Sequence, residues 1–173
     1  MSAAVTRVGF VGLGAMGAPI AGRLLAAGWP VAVHDTRAAA MTPLAAAGAV
    51  ACQSAAEVAD SADTVFLSLP DPAVIPLVVG GPDGVLRGGE VRRLVDLSTT
   101  GPAVAAELRS VLDGSGVAYL DAPVSGGAAG AAEGRLTVMA AGRQEVFDEV
   151  RPLLDAFAAK IEIGRATSEL QSP

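Results

Sequence analysis

Three glycines and one aspartate carry the first chemical signal in this chain. Gly12-Leu13-Gly14-Ala15-Met16-Gly17 follows an apolar run from Val8 to Val11 and leads into residues at helical spacing. A Gly-x-Gly-x-x-Gly turn between a buried strand and a helix start suits a pyrophosphate. Gly12 makes the turn, Gly14 lets backbone approach the phosphates, and Gly17 packs helix closely on strand. The helix start adds unpaired N–H groups and a positive dipole end. Asp35 ends a second apolar stretch, Trp29 to His34. It follows the glycines by roughly the 20-residue interval of a carboxylate that hydrogen-bonds an adenosine ribose. Together these residues predict a dinucleotide site. Asp35-Thr36-Arg37 governs which dinucleotide it takes. The carboxylate repels a 2′-phosphate and favours NAD, whereas Arg37 could pair with that phosphate, which leaves NADP open.

Few other side chains could move protons. The chain has one lysine (Lys160), one tyrosine (Tyr119) and one histidine (His34). Tyr119 reads as a packed strand residue, and His34 borders the adenosine side of the site rather than a hydride-transfer position. The single cysteine, Cys52, excludes an internal disulfide and a multi-thiolate metal site. It reads as a small core residue in a protein of the reducing cytoplasm.

The elements that must hold these residues follow from composition and periodicity. At 173 residues the chain is long enough for one full core. It is 51% hydrophobic, 17% charged and 3% aromatic, a composition that packs on Ala, Val and Leu. A net charge of −6 argues against nucleic acid as a partner, because phosphate backbones require a basic surface. Val8 to Gly22 lacks charge but is shorter than the roughly 20 residues of a membrane span, and its glycines suit a turn. The lone Arg7 makes a poor start to a secretory signal.

After the first strand and helix, strands are expected at Ala49–Cys52, Thr64–Ser68, Leu94–Leu97, Val117–Leu120, Leu136–Ala141 and Lys160–Ile163. Helices are expected from Arg37 to Ala47, from the Ser54-Ala55-Ala56-Glu57 capping box to about Ser61, near Ala73–Val79, and from Pro102 to about Asp113. A further helical pattern at Val146, Val150, Leu153, Leu154 and Phe157 is expected to break at Pro152. Alternating strands and helices give an α/β domain with a doubly wound, mostly parallel sheet of the Rossmann type over residues 1–164. Arg165 to Pro173 is polar, lacks periodicity and reads as a disordered tail.

Beyond the glycine loop, Asp96-Leu97-Ser98-Thr99, Asp121-Ala122-Pro123-Val124-Ser125-Gly126-Gly127 and Gly134-Arg135-Leu136-Thr137-Val138-Met139 complete an ordered set of motifs. With Gly12–Gly17, this set resembles the β-hydroxyacid dehydrogenase family, which includes 3-hydroxyisobutyrate dehydrogenase and tartronate semialdehyde reductase. The resemblance spans about Arg7 to Gly164. It implies that the Gly12–Gly17 loop holds the pyrophosphate and that Leu69, Pro70 and Val74 line the adenosine side. It places Ser98 and Thr99 near the nicotinamide ribose, and Ser125, Gly126 and Gly127 at the carboxylate of a small substrate. It also implies a catalytic lysine on a long helix after Gly164, then an all-helical domain that forms a homo-oligomer. Arg165 to Pro173 contains no lysine, and Lys160 matches a variable family position. The expectation is therefore a cofactor domain without its own catalytic residue, inactive alone. The alternative is a dinucleotide-binding or assembly module that performs no chemistry.

Overall fold

The computed structural model describes residues 6–164; the tail expected at 165–173 lies outside them. Val8–Val11 (β1) and Thr64–Leu67 (β4) are buried along their whole length. Continuous apolar burial is the signature of central parallel strands, which are covered on both faces. The remaining strands are Val31–His34 (β2), Val50–Ala51 (β3), Arg93–Asp96 (β5), Ala118–Asp121 (β6), Val124–Ser125 (β7), Leu136–Ala141 (β8) and Ala158–Gly164 (β9). Among the described residues they form one sheet in the order β3-β2-β1-β4-β5-β6-β8-β7, with β9 beside β8. Pairing is parallel from β3 to β6 and between β8 and β9, and antiparallel where β8 meets β6 and β7. The doubly wound, mostly parallel sheet expected from the sequence is the fold observed.

Helices cover both faces. Gly17–Ala26 (α1), Ala38–Ala46 (α2), Gly127–Glu133 (α6) and Gln144–Leu154 (α7) pack over one. The aromatic residues concentrate in that layer. Phe10 stacks on Phe66 at 5.8 Å between ring centroids, and Phe157 meets Phe66 edge-on at 6.1 Å. Ala55–Ser61 (α3), Ile75–Gly80 (α4) and Pro102–Leu112 (α5) pack over the other face, on Val65, Leu67 and Leu94. Ser54 caps α3 by accepting the Glu57 N–H at 3.1 Å, as the capping-box pattern predicts. The Glu57 carboxylate reaches one residue further back than in the usual box, to the Gln53 N–H.

Two expectations require correction. Helix α7 runs unbroken through Pro152, and Phe157 lies in the turn that feeds β9 rather than in the helix. Pro152 sits in the last turn, so only one helical bond is lost, and the carbonyl it frees belongs to exposed Asp148, where water can substitute. Helix α6 has no counterpart among the expected elements, because Gly127-Ala128-Ala129-Gly130-Ala131-Ala132-Glu133 carries no large apolar residue to mark a period. Cys52 is buried as expected, and burial, then the nearby Glu57 charge, pushes its thiol pKa up.

Candidate functional site: a cleft at the carboxyl edge of the sheet

The loops after β1, β2 and β4 emerge at the carboxyl edge of the sheet, where open α/β folds bind ligands. Steric demands dictate the first of these loops. Gly12 has φ +98°, and a Cβ there would lie 2.1 Å from the Ser68 carbonyl oxygen. A Cβ on Gly17 would lie 2.0 Å from the Gly12 carbonyl oxygen, so α1 can start against the turn only without a side chain. Gly14 differs: no atom lies within 4 Å of where its Cβ would be. Its side-chain position is open space on the cleft wall, which leaves room for a bulky group to approach the backbone. The cradle thus fits a pyrophosphate.

Asp35 closes this cradle from β2. Its Oδ2 accepts the Leu13 N–H at 2.8 Å, and its Oδ1 accepts the Arg37 N–H at 2.8 Å. The Arg37 guanidinium adds a longer contact, 3.4 Å from Nε to Oδ1. Burial opposes ionisation of this carboxyl, but the two N–H groups and the Arg37 charge outweigh it and hold its pKa below the usual value. Asp35 is therefore an anchored anion, with its side chain 10% exposed. Its oxygens retain lone pairs that could accept ribose hydroxyls.

The cleft has a volume of about 840 Å³ and brings together Gly12, Gly14, Asp35, Thr36, Arg37, Leu69, Pro70 and Val74. His34 also lines it, with Nδ1 2.9 Å from the Cys52 carbonyl oxygen. A carbonyl can only accept, so Nδ1 carries the proton and Nε2 is the nitrogen left for other partners. Gln53, Leu77 and Asp83 line the cleft as well. Sequence reasoning missed these three because the capping box beside Gln53 signals a helix start rather than a ligand, and no motif marks the α4 region.

Other expected site residues lie outside this cleft. Leu13 is buried and contributes its backbone N–H. Met16 packs partly against the core, and Ala15 is exposed. Ser98 is 6% exposed. Its Oγ accepts the Leu69 N–H at 2.9 Å, and its own N–H donates to Asp96 Oδ1 at 2.9 Å, which ties the loops after β4 and β5 together. Thr99 is exposed beside it. Ser125 ends β7, Gly126 precedes α6 and Gly127 opens it, and all three are exposed. Lys160 is on exposed β9, where Nζ pairs with Glu162 Oε1 at 2.8 Å. No group of three or more His, Cys, Asp or Glu among the described residues could hold a metal ion. No helix there is long and apolar enough to cross a membrane.

A second cluster escaped the sequence reading. Asp96 and Asp121 are register partners at the ends of β5 and β6, and Tyr119 Oη donates to Asp96 Oδ2 at 3.4 Å. The signal was available in the two strand ends, each closing on an aspartate, but only the strand pairing brings them side by side.

Comparison with known proteins agrees with this geometry. Residues 7–164 match the family described as the NAD binding domain of 6-phosphogluconate dehydrogenase. The chain is 39% identical over 158 residues to 2-(hydroxymethyl)glutarate dehydrogenase from Eubacterium barkeri, covering 90% of this chain and 52% of that protein. It is 40% identical over 156 residues to an NAD-dependent L-serine dehydrogenase from Pseudomonas aeruginosa, again covering 90% of this chain and 52% of the relative. The structure of Mycobacterium tuberculosis 3-hydroxyisobutyrate dehydrogenase with L-serine superposes with a TM-score of 0.86 at 33% identity, over 94% of this chain and 55% of the other. The chain thus spans about half the length of the relatives it matches. With the glycine cradle, the anchored Asp35 and the parallel sheet in place, the chain belongs to the family described as the NAD binding domain of 6-phosphogluconate dehydrogenase.

Proposed function

We propose that this chain is the cofactor-binding part of an oxidoreductase that moves a hydride between NAD(H) and a small 3-hydroxy acid or its semialdehyde. The observation that carries the reading is the Asp35 carboxylate, hydrogen-bonded to the glycine loop through Leu13 and facing the cleft beside open Gly14. Gly12, Leu13, Gly14, Ala15, Met16 and Gly17 hold the pyrophosphate with backbone groups. Asp35 takes the adenosine ribose hydroxyls, with Thr36 and Arg37 at the rim. Leu69, Pro70 and Val74 flank the adenine. Ser98 and Thr99 serve the nicotinamide ribose, and Ser125, Gly126 and Gly127 serve the substrate carboxylate. Bound nicotinamide supplies or accepts the hydride; the protein's part is to fix the ring's position relative to the substrate.

NAD is preferred over NADP. An ionised Asp35 repels a 2′-phosphate, and Arg37, the nearest cation, is already turned to Asp35. No catalytic role falls to Lys160, whose ammonium is engaged by Glu162. Residues 1–164 act as one dinucleotide-binding domain. The complete protein is a cytoplasmic homo-oligomer that takes a small carboxylate, and neither nucleic acid nor membrane is a partner.

Parallel titrations with NADH and NADPH, followed by nicotinamide fluorescence, test this reading. Tighter binding of NADH is the expected result. Preference for NADPH would transfer the assignment to Arg37, and binding of neither would defeat it.

A further inference from the structure

We propose that Asp96 and Asp121 hold a single proton between them, and that this proton keeps the loops after β5 and β6 aligned for the nicotinamide end of the dinucleotide. The second half of the proposal rests on the dinucleotide reading above; the first half does not.

Strand pairing supplies the geometry. Asp96 and Asp121 are opposite each other on adjacent parallel strands, so their side chains leave the same face of the sheet with backbones roughly 4.8 Å apart. Asp96 is fully buried. Asp121 Oδ1 is also buried and has no hydrogen-bond partner. A buried carboxylate oxygen without a donor is costly, and the cost disappears if a carboxyl proton bridges it to its neighbour.

Asp96 has neutral donors, but among the described residues no donor reaches Asp121 Oδ1 and no cation offsets the pair. No Lys, Arg or His among the described residues ion-pairs with either aspartate. Tyr119, on the same strand as Asp121, directs its hydroxyl to Asp96 Oδ2. The partner of Asp121 on β8 is Ala141, which bears no charge. Helix α5 has no acidic residue in its first turn, and its Glu107 and Arg109 are exposed. Across the sheet, Glu149 of α7 is taken up by Arg93, at the start of β5. Two adjacent carboxyls with no cation cannot both ionise cheaply. Burial raises the pKa of Asp96, and burial followed by the Asp96 charge raises that of Asp121 to about 6. Burial and the same two charges push Tyr119 upward, so its hydroxyl remains a donor.

The pair lies at the root of three loops. Asp96 Oδ1 accepts the Ser98 N–H, and Ser98 Oγ accepts the Leu69 N–H. The Ala122 N–H donates to the Asp96 carbonyl at 2.8 Å, and the chain from Asp121 leads within a few residues to Ser125. Loss of the shared proton places two negative charges side by side beneath these loops and drives the ends of β5 and β6 apart.

Carboxyl-carbon NMR of protein labelled at the aspartate side chain, combined with nucleotide titrations across pH, tests both halves. In the wild type, the Asp96 and Asp121 signals should each report the same two titration steps, as coupled groups do. In Asp96→Asn the Asp121 step should move down toward the ordinary carboxylate range. NADH affinity should fall by about fivefold or more as pH rises through the upper step. ADP-ribose, which lacks nicotinamide, should not follow it. Asp121→Asn, whose amide imitates the protonated acid, should bind NADH with a flat pH profile. Independent titration of the two aspartates in the wild type overturns the shared proton, even if Asp96→Asn fails to fold. Persistence of the NADH pH dependence in Asp121→Asn, or an equal response of ADP-ribose, overturns its role in aligning the loops. Failure of both nucleotides to bind defeats the dinucleotide reading instead, and the carboxyl signals still decide the pair.

Discussion

Asp35 Oδ2 lies 2.8 Å from the Leu13 nitrogen, so the acid that follows β2 and the glycine loop that follows β1 form one hydrogen-bonded unit. The carboxylate shapes the cradle and, in the proposed function, presents its charge to the dinucleotide. Asp35→Asn tests the two roles together. It should weaken NADH by about tenfold, the loss of one charge-assisted hydrogen bond, and narrow the preference for NADH over NADPH. Fluorescence titration of both nucleotides reads the two effects, and unchanged NADH affinity would remove Asp35 from the site.

The glycines separate structural from ligand roles. Gly12→Ala and Gly17→Ala force a methyl group into backbone at 2.1 and 2.0 Å, so each should destabilise by more than about 2 kcal/mol in urea unfolding. Gly14→Ala meets nothing within 4 Å and should unfold within about 0.5 kcal/mol of wild type. It should nonetheless bind NADH at least about tenfold more weakly, because the methyl group occupies the space of the pyrophosphate.

Ser98 accepts the Leu69 N–H in a buried setting. Ser98→Ala leaves that N–H without its acceptor and should cost about 1–2 kcal/mol of stability. A loss below the error of the unfolding measurement would mean that the loops after β4 and β5 are not held through this hydroxyl.

The raised pKa of Asp121 fixes the sign of a pH effect on stability. Between its ordinary value of 3.8 and about 6, the folded state binds more protons than the unfolded one, so this group makes stability fall as pH rises through that window. Asp121→Asn removes the penalty. It should gain roughly 1–2 kcal/mol relative to wild type on going from pH 4 to pH 7, a two-unit shift discounted for partial exposure. Asp35 works in the opposite direction, since its lowered pKa contributes stability that is lost as pH falls through the folded-state value. Thermal unfolding of the single variants against pH separates the two.

Ser54→Ala removes the cap of α3 and should cost about 1 kcal/mol, read from the urea midpoint.

Much of the glycine cradle is a local matter, and local matters are legible in a sequence. A turn with positive φ and a helix packed against its own preceding turn admit only glycine, so Gly12 and Gly17 announce themselves. Buried parallel strands need unbroken apolar runs, and these mark β1 and β4. The alternation of such runs with helical spacing establishes the fold class, and the interval to Asp35 locates the acid. Tertiary structure alone decided the rest. Helix α6 carries no large apolar residue and forms where Leu136 and α1 receive it, a condition that no period in its own seven residues can express. The antiparallel insertion of β8 between β6 and β7 depends on pairing partners rather than on composition. The Leu13–Asp35 bond, the Ser98–Leu69 bond and the adjacency of Asp96 and Asp121 all join residues more than twenty positions apart. Such contacts are set by strand order and register, which the chain acquires only when distant segments pair.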